Sequence, residues 1–164
     1  MEVRQRVREV TTQDGWALIK VSRVPDQPGV AAQIFTRVAA ARVPIGLILQ
    51  NASIERMTDV SFTVKTGDVP AALESLSGIR EAIGASKVEA LTDLAMVQII
   101  GTGILTDPSY VGRIFSTLAD AGVNILAIGT SEIRISILVD AAAKVTAQQA
   151  LHKTFQVGEA PAVR

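Results

Sequence analysis

The sequence predicts an α+β protein made of two tandem βαββαβ modules, the first inserted within the second. Three observations carry that reading. The chain repeats itself 80 residues on: Pro28, Ile34, Phe35, Ala39, Ala41, Val43, Ile45 and Ile48 fall on Pro108, Ile114, Phe115, Ala119, Ala121, Val123, Ile125 and Ile128. After a shorter loop the match resumes, with Val60–Val64 over Ile135–Val139. A unit this long is a folded module rather than a solenoid repeat. Secondly, the apolar period switches between that of strands and that of helices in the same order in both copies. Thirdly, the second copy runs out before its last strand, while Val3–Thr12 alternates like a strand and has no place in the first copy.

In the first copy, Trp16–Val24 alternates and stops at Pro25-Asp26-Gln27-Pro28-Gly29, a strand followed by a turn. Pro28 suits the first turn of a helix, and Ala31, Ile34, Phe35 and Val38 then recur at helical spacing up to Pro44. Ile45–Asn51 and Asp59–Lys65 read as two strands around a polar turn at Ile54–Met57. Asp68-Val69-Pro70 opens a second helix with Ala72, Leu73, Leu76 and Ile79 inward, and Lys87–Leu91 is a fourth strand. The order is the ferredoxin-like one. The second copy reads as strand Met96–Gly103, helix Pro108–Ala121, strands Asn124–Thr130 and Ile133–Val139, and helix Thr146–Phe155. The expected boundaries are residues 16–92 for the first module and 93–157 for the second. The strand at 3–12 crosses over to complete the second sheet, and 158–164 is a flexible tail.

Composition excludes several functions. At 164 residues and 48% hydrophobic content the modules can share a core, although each alone would be marginal. Net charge is zero, without the basic footprint that nucleic-acid phosphates demand. One Trp, one Tyr and four Phe cannot build a base-stacking platform. There is no Cys, so disulfides and thiolate metal sites are excluded. No apolar run reaches about 18 residues, the length of a membrane span, and the charged start leads into no signal core. The expectation is a cytoplasmic protein with no nucleic-acid or membrane partner.

The turn Asp26–Gly29 between strand and helix, within such a module, resembles that of the ACT domain, a sensor of free amino acids. The likeness narrows with Val24–Phe35, Leu49-Gln50-Asn51-Ala52-Ser53 and Thr58–Val64, which resemble the first ACT domain of aspartate kinase. Asn124-Ile125, Thr130–Ser136 and the closing helix Ala150–Phe155 resemble the second. The amino-acid kinase domain that would accompany them, with its Lys-Phe-Gly-Gly segment, is absent from this sequence, and no other phosphate-binding loop occurs. The resemblance implies a regulatory β subunit or regulatory region, not an enzyme by itself. Such a region would bind threonine, or alternatively lysine, at ACT–ACT interfaces in a homodimer. It would act on a catalytic α subunit in feedback inhibition of lysine, threonine and methionine biosynthesis. Other ACT-type regulators, such as one serving acetolactate synthase or a glycine-responsive repressor, are the alternative; Gln50-Asn51 and Thr130–Ile133 speak against them. An acylphosphatase on this fold would need an Arg in the first loop, where Asp26 would repel phosphate.

An amino acid is a zwitterion, so its site needs an acceptor for the ammonium and donors for the carboxylate. Asp26 supplies the first through a charge-assisted hydrogen bond. The backbone N–H groups of Gly29, Val30 and Ala31 at a helix N-terminus supply the second. The resemblance adds Gln50 and Asn51 to this pocket, Asn124 and Ile125 closing it from the other module type, and Thr130, Ser131 and Glu132 as an effector-contacting segment. No catalytic residue, metal or cofactor is expected. Each candidate has a plainer role beside it: Asp26 organising its turn, Gln50 and Asn51 satisfying a loop, Thr130–Glu132 forming a polar turn. Asp107, directly before Pro108, reads as a helix N-cap. His152 reads as a solvated or packing residue, and Arg4, Arg6 and Arg8 as a solvent-facing row. Two departures make the sites unequal. Asp107-Pro108-Ser109-Tyr110 stands where the second module usually has His-Pro-Gly, and Pro44-Ile45-Gly46 where the first usually has Asn-Ile-Asp.

Overall fold

A computed structural model describes residues 6–53 and 55–157. The expectations for Val3, Arg4, Ile54 and the tail 158–164 fall wholly or partly outside them. The chain divides into two compact units, and one of them, Gly15–Leu94, is continuous. The other is assembled from the segments on either side of it, up to Asp14 and from Ala95 onward. The elements are β1 (Glu9–Pro25), α1 (Val30–Ala40), β2 (Ile48–Gln50), β3 (Met57–Lys65), α2 (Val69–Ser75), α3 (Ile79–Ile83) and β4 (Lys87–Ile100), then α4 (Pro108–Asp120), β5 (Ala127–Ser131), β6 (Arg134–Asp140) and α5 (Lys144–Phe155).

In the continuous unit the strands run in the order β2-β3-β1-β4, with β3 antiparallel to both neighbours. Val21 and Gln50 both pair with Val60, from opposite sides of β3. One face of this sheet carries Ile19, Val21, Val60, Phe62 and Val64 against Val30, Ile34 and Val38 of α1 and Ala72, Leu76 and Ile79. The second unit repeats the plan with β4-β6-β5 and the first half of β1. The Arg8 N–H donates to the Ile100 carbonyl (2.8 Å), and Val7 and Val10 lie in this unit's core with Ile99, Ile135, Ile137 and Phe155. Buried positions on the two first helices correspond residue for residue: Val30, Ile34 and Val38 on α1; Tyr110, Ile114 and Leu118 on α4. His152 and Gln148 sit half-buried against the Val10 carbonyl, each 3.2 Å from it, so the lone histidine is a packing residue.

Five expected elements are corrected. The segments read as separate strands on either side of Asp14-Gly15 form the single strand β1, and those around Asp93 form the single strand β4. At each join one residue of positive φ, Gly15 (75°) and Asp93 (59°), lets the extended chain continue through the residues left between the expected strands. The helix opened by Asp68 breaks after Ser75 and restarts at Ile79, with Gly78 at φ 77°. Leu73, expected inward, is 36% exposed, while Ala72, Leu76 and Ile79 are buried. The strand expected at Ile45–Asn51 is confined to Ile48–Gln50, and the one expected from Asn124 begins at Ala127. Just ahead of β2, Gly46 N–H donates to the Thr63 carbonyl (3.0 Å), and Leu47 N–H to Thr63 Oγ1 (2.7 Å). A Cβ on Gly46 would lie 2.6 Å from Thr63 Oγ1 and 2.7 Å from the Trp16 ring, which explains why no side chain stands there.

Candidate functional site

The first module's turn is built from the end of β1. Pro25 pairs with Met57, the Asp26 N–H donates to the Arg56 carbonyl (2.8 Å), and Gly29 turns the chain into α1 at φ 90°. That φ requires a residue without a Cβ penalty. On the other side of β3, Gln50 ends β2, and the Asn51 carbonyl accepts the Thr58 hydroxyl (2.7 Å). Because β1 and β2 flank β3 and both run against it, Asp26, Gly29, Val30, Ala31, Gln50 and Asn51 come to one end of one sheet.

Asp26 is exposed, and its side chain does not cap α1, which has no side-chain cap at all. The plainer role of its side chain in organising the turn therefore has no side-chain hydrogen bond to support it among the described residues. The helix amides are not equivalent. Val30 N–H is spent on the Gln27 carbonyl (3.4 Å) and the Val30 side chain is core, so it is not the free donor expected from the sequence. Gly29 and Ala31 remain as the candidates.

Beside this turn lies an open groove of about 330 Å³ lined by Arg23, Asn51, Glu55, Thr58 and Asp59 among others. Sequence reading missed Arg23 and Asp59 as a pair. A bulge between Val21 and Val24 sets Arg23 at φ 53°, and its N–H donates to Asp59 Oδ1 (2.9 Å). That hydrogen bond, helped by Lys20 3.4 Å away, holds the Asp59 carboxyl below its ordinary range against the opposing effect of burial. Bulges leave little trace in composition; the only signal was Thr58-Asp59 inside the segment already singled out.

The second module arranges its copy differently. Asp107 caps α4, accepting the Ser109 N–H (3.0 Å) and hydroxyl (2.6 Å), and these bonds hold its carboxyl below the ordinary range. Thr106, matched to Asp26, gives its hydroxyl to the Gly103 carbonyl (2.9 Å). Arg6 is not simply a solvent-facing residue: its guanidinium donates to the Gly103 carbonyl (2.8 Å) and to Thr106 Oγ1 (3.1 Å). Asn124 is exposed between α4 and β5, and Ile125 packs on this unit's core. Thr130 pairs with Ile135 and Ser131 with Arg134, leaving Glu132 exposed in the hairpin turn. The sequence-derived residues thus fall into two groups, one in each unit. Among the described residues no cluster of His, Asp or Glu could hold a metal, and no helix is long and apolar enough to cross a membrane.

A family model described as the ACT domain matches residues 21–78 and 97–155. The chain is 40% identical over 144 residues to an aspartokinase of Mycolicibacterium smegmatis, covering 87% of this chain and 34% of that protein. It is 37% identical over 146 residues to an aspartate kinase of Stutzerimonas stutzeri, covering 89% and 35%. It therefore spans about a third of the length of these curated relatives. Among solved structures, the regulatory subunit of aspartate kinase from Thermus flavus superposes with a TM-score of 0.86 at 32% identity, covering 92% of this chain and 99% of that one. A structure of aspartokinase alpha and beta subunits gives 0.84 at 39%, with the same coverage. The chain belongs to the ACT domain family, as the regulatory, ACT-containing region of an aspartate kinase.

Proposed function

We propose that this region senses free threonine at the turn of its first module and lowers the activity of an aspartate kinase catalytic α subunit. The observation that carries the reading is the exposed carboxylate of Asp26, without a hydrogen-bond partner among the described residues, beside a helix start that none of their side chains caps. Asp26 takes the ammonium; the Gly29 and Ala31 N–H groups take the carboxylate. Gln50 hydrogen-bonds the hydroxyl, and Asn51 lines the adjoining groove. In a homodimer, Asn124, Ile125, Thr130, Ser131 and Glu132 of one chain close the site on the first module of its mate. The motive for pairing is the edge strand β2, which presents Ile48 at 56% exposure. The setting is cytoplasmic feedback control of the pathway leading to lysine, threonine and methionine.

Threonine is favoured over lysine by charge. Lysine brings a second ammonium that needs its own carboxylate, and Pro44-Ile45-Gly46 offers none. The adjoining groove holds Glu55 and Asp59, of which Asp59 is already engaged by the Arg23 N–H and by Lys20, and a second charge buried without a carboxylate partner is costly. Calorimetric titration with each amino acid, alone and in competition, tests the reading. Threonine should bind and lysine should fail to displace it; displacement by lysine at equal concentration would refute the assignment.

A further inference from the structure

The second module's turn already contains a cation, and it belongs to the chain itself. Arg6 lies alongside the loop that joins β4 to α4, and three contacts fix it there. Its guanidinium Nη1 donates to the Gly103 carbonyl (2.8 Å) and to Thr106 Oγ1 (3.1 Å), while its backbone N–H donates to the Tyr110 hydroxyl (3.1 Å). Tyr110 is itself fixed: buried to 4% exposure and stacked on Phe155, with ring centroids 6.0 Å apart.

The loop is shaped for this occupant. A Cβ on Gly101 would collide with the Arg6 carbonyl oxygen, and one on Gly103 would meet Arg6 Nη1 at 2.7 Å. Gly103 also sits at φ 72°, aiming its carbonyl at the guanidinium. The matched positions in the first module are Val21, Arg23, Asp26 and Val30, and none of them receives a guanidinium among the described residues.

We propose that Arg6 is an internal ligand of the second module, its guanidinium occupying the turn that in the first module stands open to an external ammonium. The consequence is asymmetry in uptake: the chain takes an amino acid at one turn and supplies its own cation to the other. This inference rests on the reading of the Asp26 turn as the effector site, but the occupancy of the Thr106 turn can be measured independently. Tyr110 adds to the asymmetry, since its hydroxyl accepts the Arg6 backbone N–H, a contact that Val30 at the matched position cannot make.

Amide hydrogen exchange on the full chain separates the two claims. In Arg6→Ala, exchange at Thr106, Ser109 and Tyr110 should rise about tenfold, as expected when charged hydrogen bonds holding a loop are lost. Amides at 23–31 should be unchanged, and millimolar methylguanidinium should restore protection better than methylammonium does. Unchanged exchange at 106–110, or equal change at 23–31, would overturn the proposal. Calorimetry on the parent chain should give a single threonine per chain, and two equivalent sites would also overturn it. If the parent binds no threonine, the effector reading fails, and the exchange ratio alone decides the role of Arg6. Thermal melting of Arg6→Ala close to that of the parent confirms that the variant is folded, and Arg6→Lys should retain part of the protection.

Discussion

The two modules share a helix whose buried positions match one for one, yet their turns are finished by opposite means. In the first, the helix start carries no side-chain cap, Asp26 is exposed, and the bulge residue Arg23 is held from outside the turn by Asp59. In the second, Asp107 caps the helix, Thr106 closes on Gly103, and Arg6 and Tyr110 complete the loop. A helix end left unsatisfied is normally a cost, so the first turn keeps polar groups in reserve that the second has spent on itself. The two copies share one scaffold, and local side-chain chemistry leaves the Asp26 carboxylate exposed in one turn while Asp107, Thr106 and Arg6 are hydrogen-bonded within the other.

The difference can be broken first where packing is tightest. Phe155→Ala should destabilise the second unit by about 3–5 kcal/mol, since its ring is fully buried under Tyr110 and Arg113. Gly101→Ala should cost roughly 2–3 kcal/mol, because the new methyl meets backbone rather than a movable side chain. At the matched position the first module holds the buried Val21 without difficulty. Chemical denaturation of both variants checks these values, and a neutral Gly101→Ala would mean that the segment at Arg6 yields. Tyr110→Phe removes only the acceptor for the Arg6 N–H and should cost about 1 kcal/mol.

The effect of pH sharpens the same contrast. Asp107 and Asp59 both have folded pKa values below their unfolded ones, the first through the Ser109 hydroxyl and N–H, the second through the Arg23 N–H. Their contributions are complete above the unfolded carboxylate pKa and are lost as pH falls through the folded value. Asp107→Asn should therefore lower the melting temperature at neutral pH and lose its effect in acid. Asp26→Asn should leave the melting temperature unchanged at neutral pH. A pH-independent penalty at Asp107 would contradict the capping account.

Much of this was legible in the residues. The repeat, the order of strands and helices and the Asp107 cap follow from spacing and from the preference of carboxylates for helix starts. What was not legible depended on single backbone angles or on distant partners. Gly15 and Asp93 look like turn residues, and only their tertiary setting makes each a single left-handed step inside a long strand. The break at Gly78 could be placed only once the packing of Leu76 and Ile79 was known. Arg6 alternates with Val7 and Arg8 as a solvent-facing row would. Its partners lie about a hundred residues away, where periodicity cannot point.

The central claim, that the first turn receives an amino acid and the second does not, is tested most directly by titrating threonine into Asp26→Ala, Thr106→Ala and the parent chain by calorimetry. Asp26→Ala should lose one charged hydrogen bond, roughly 1.5–3 kcal/mol, and so about one to two decades of affinity. Thr106→Ala should bind as the parent does. Parent-like binding by Asp26→Ala, or an equal loss in Thr106→Ala, would contradict the account.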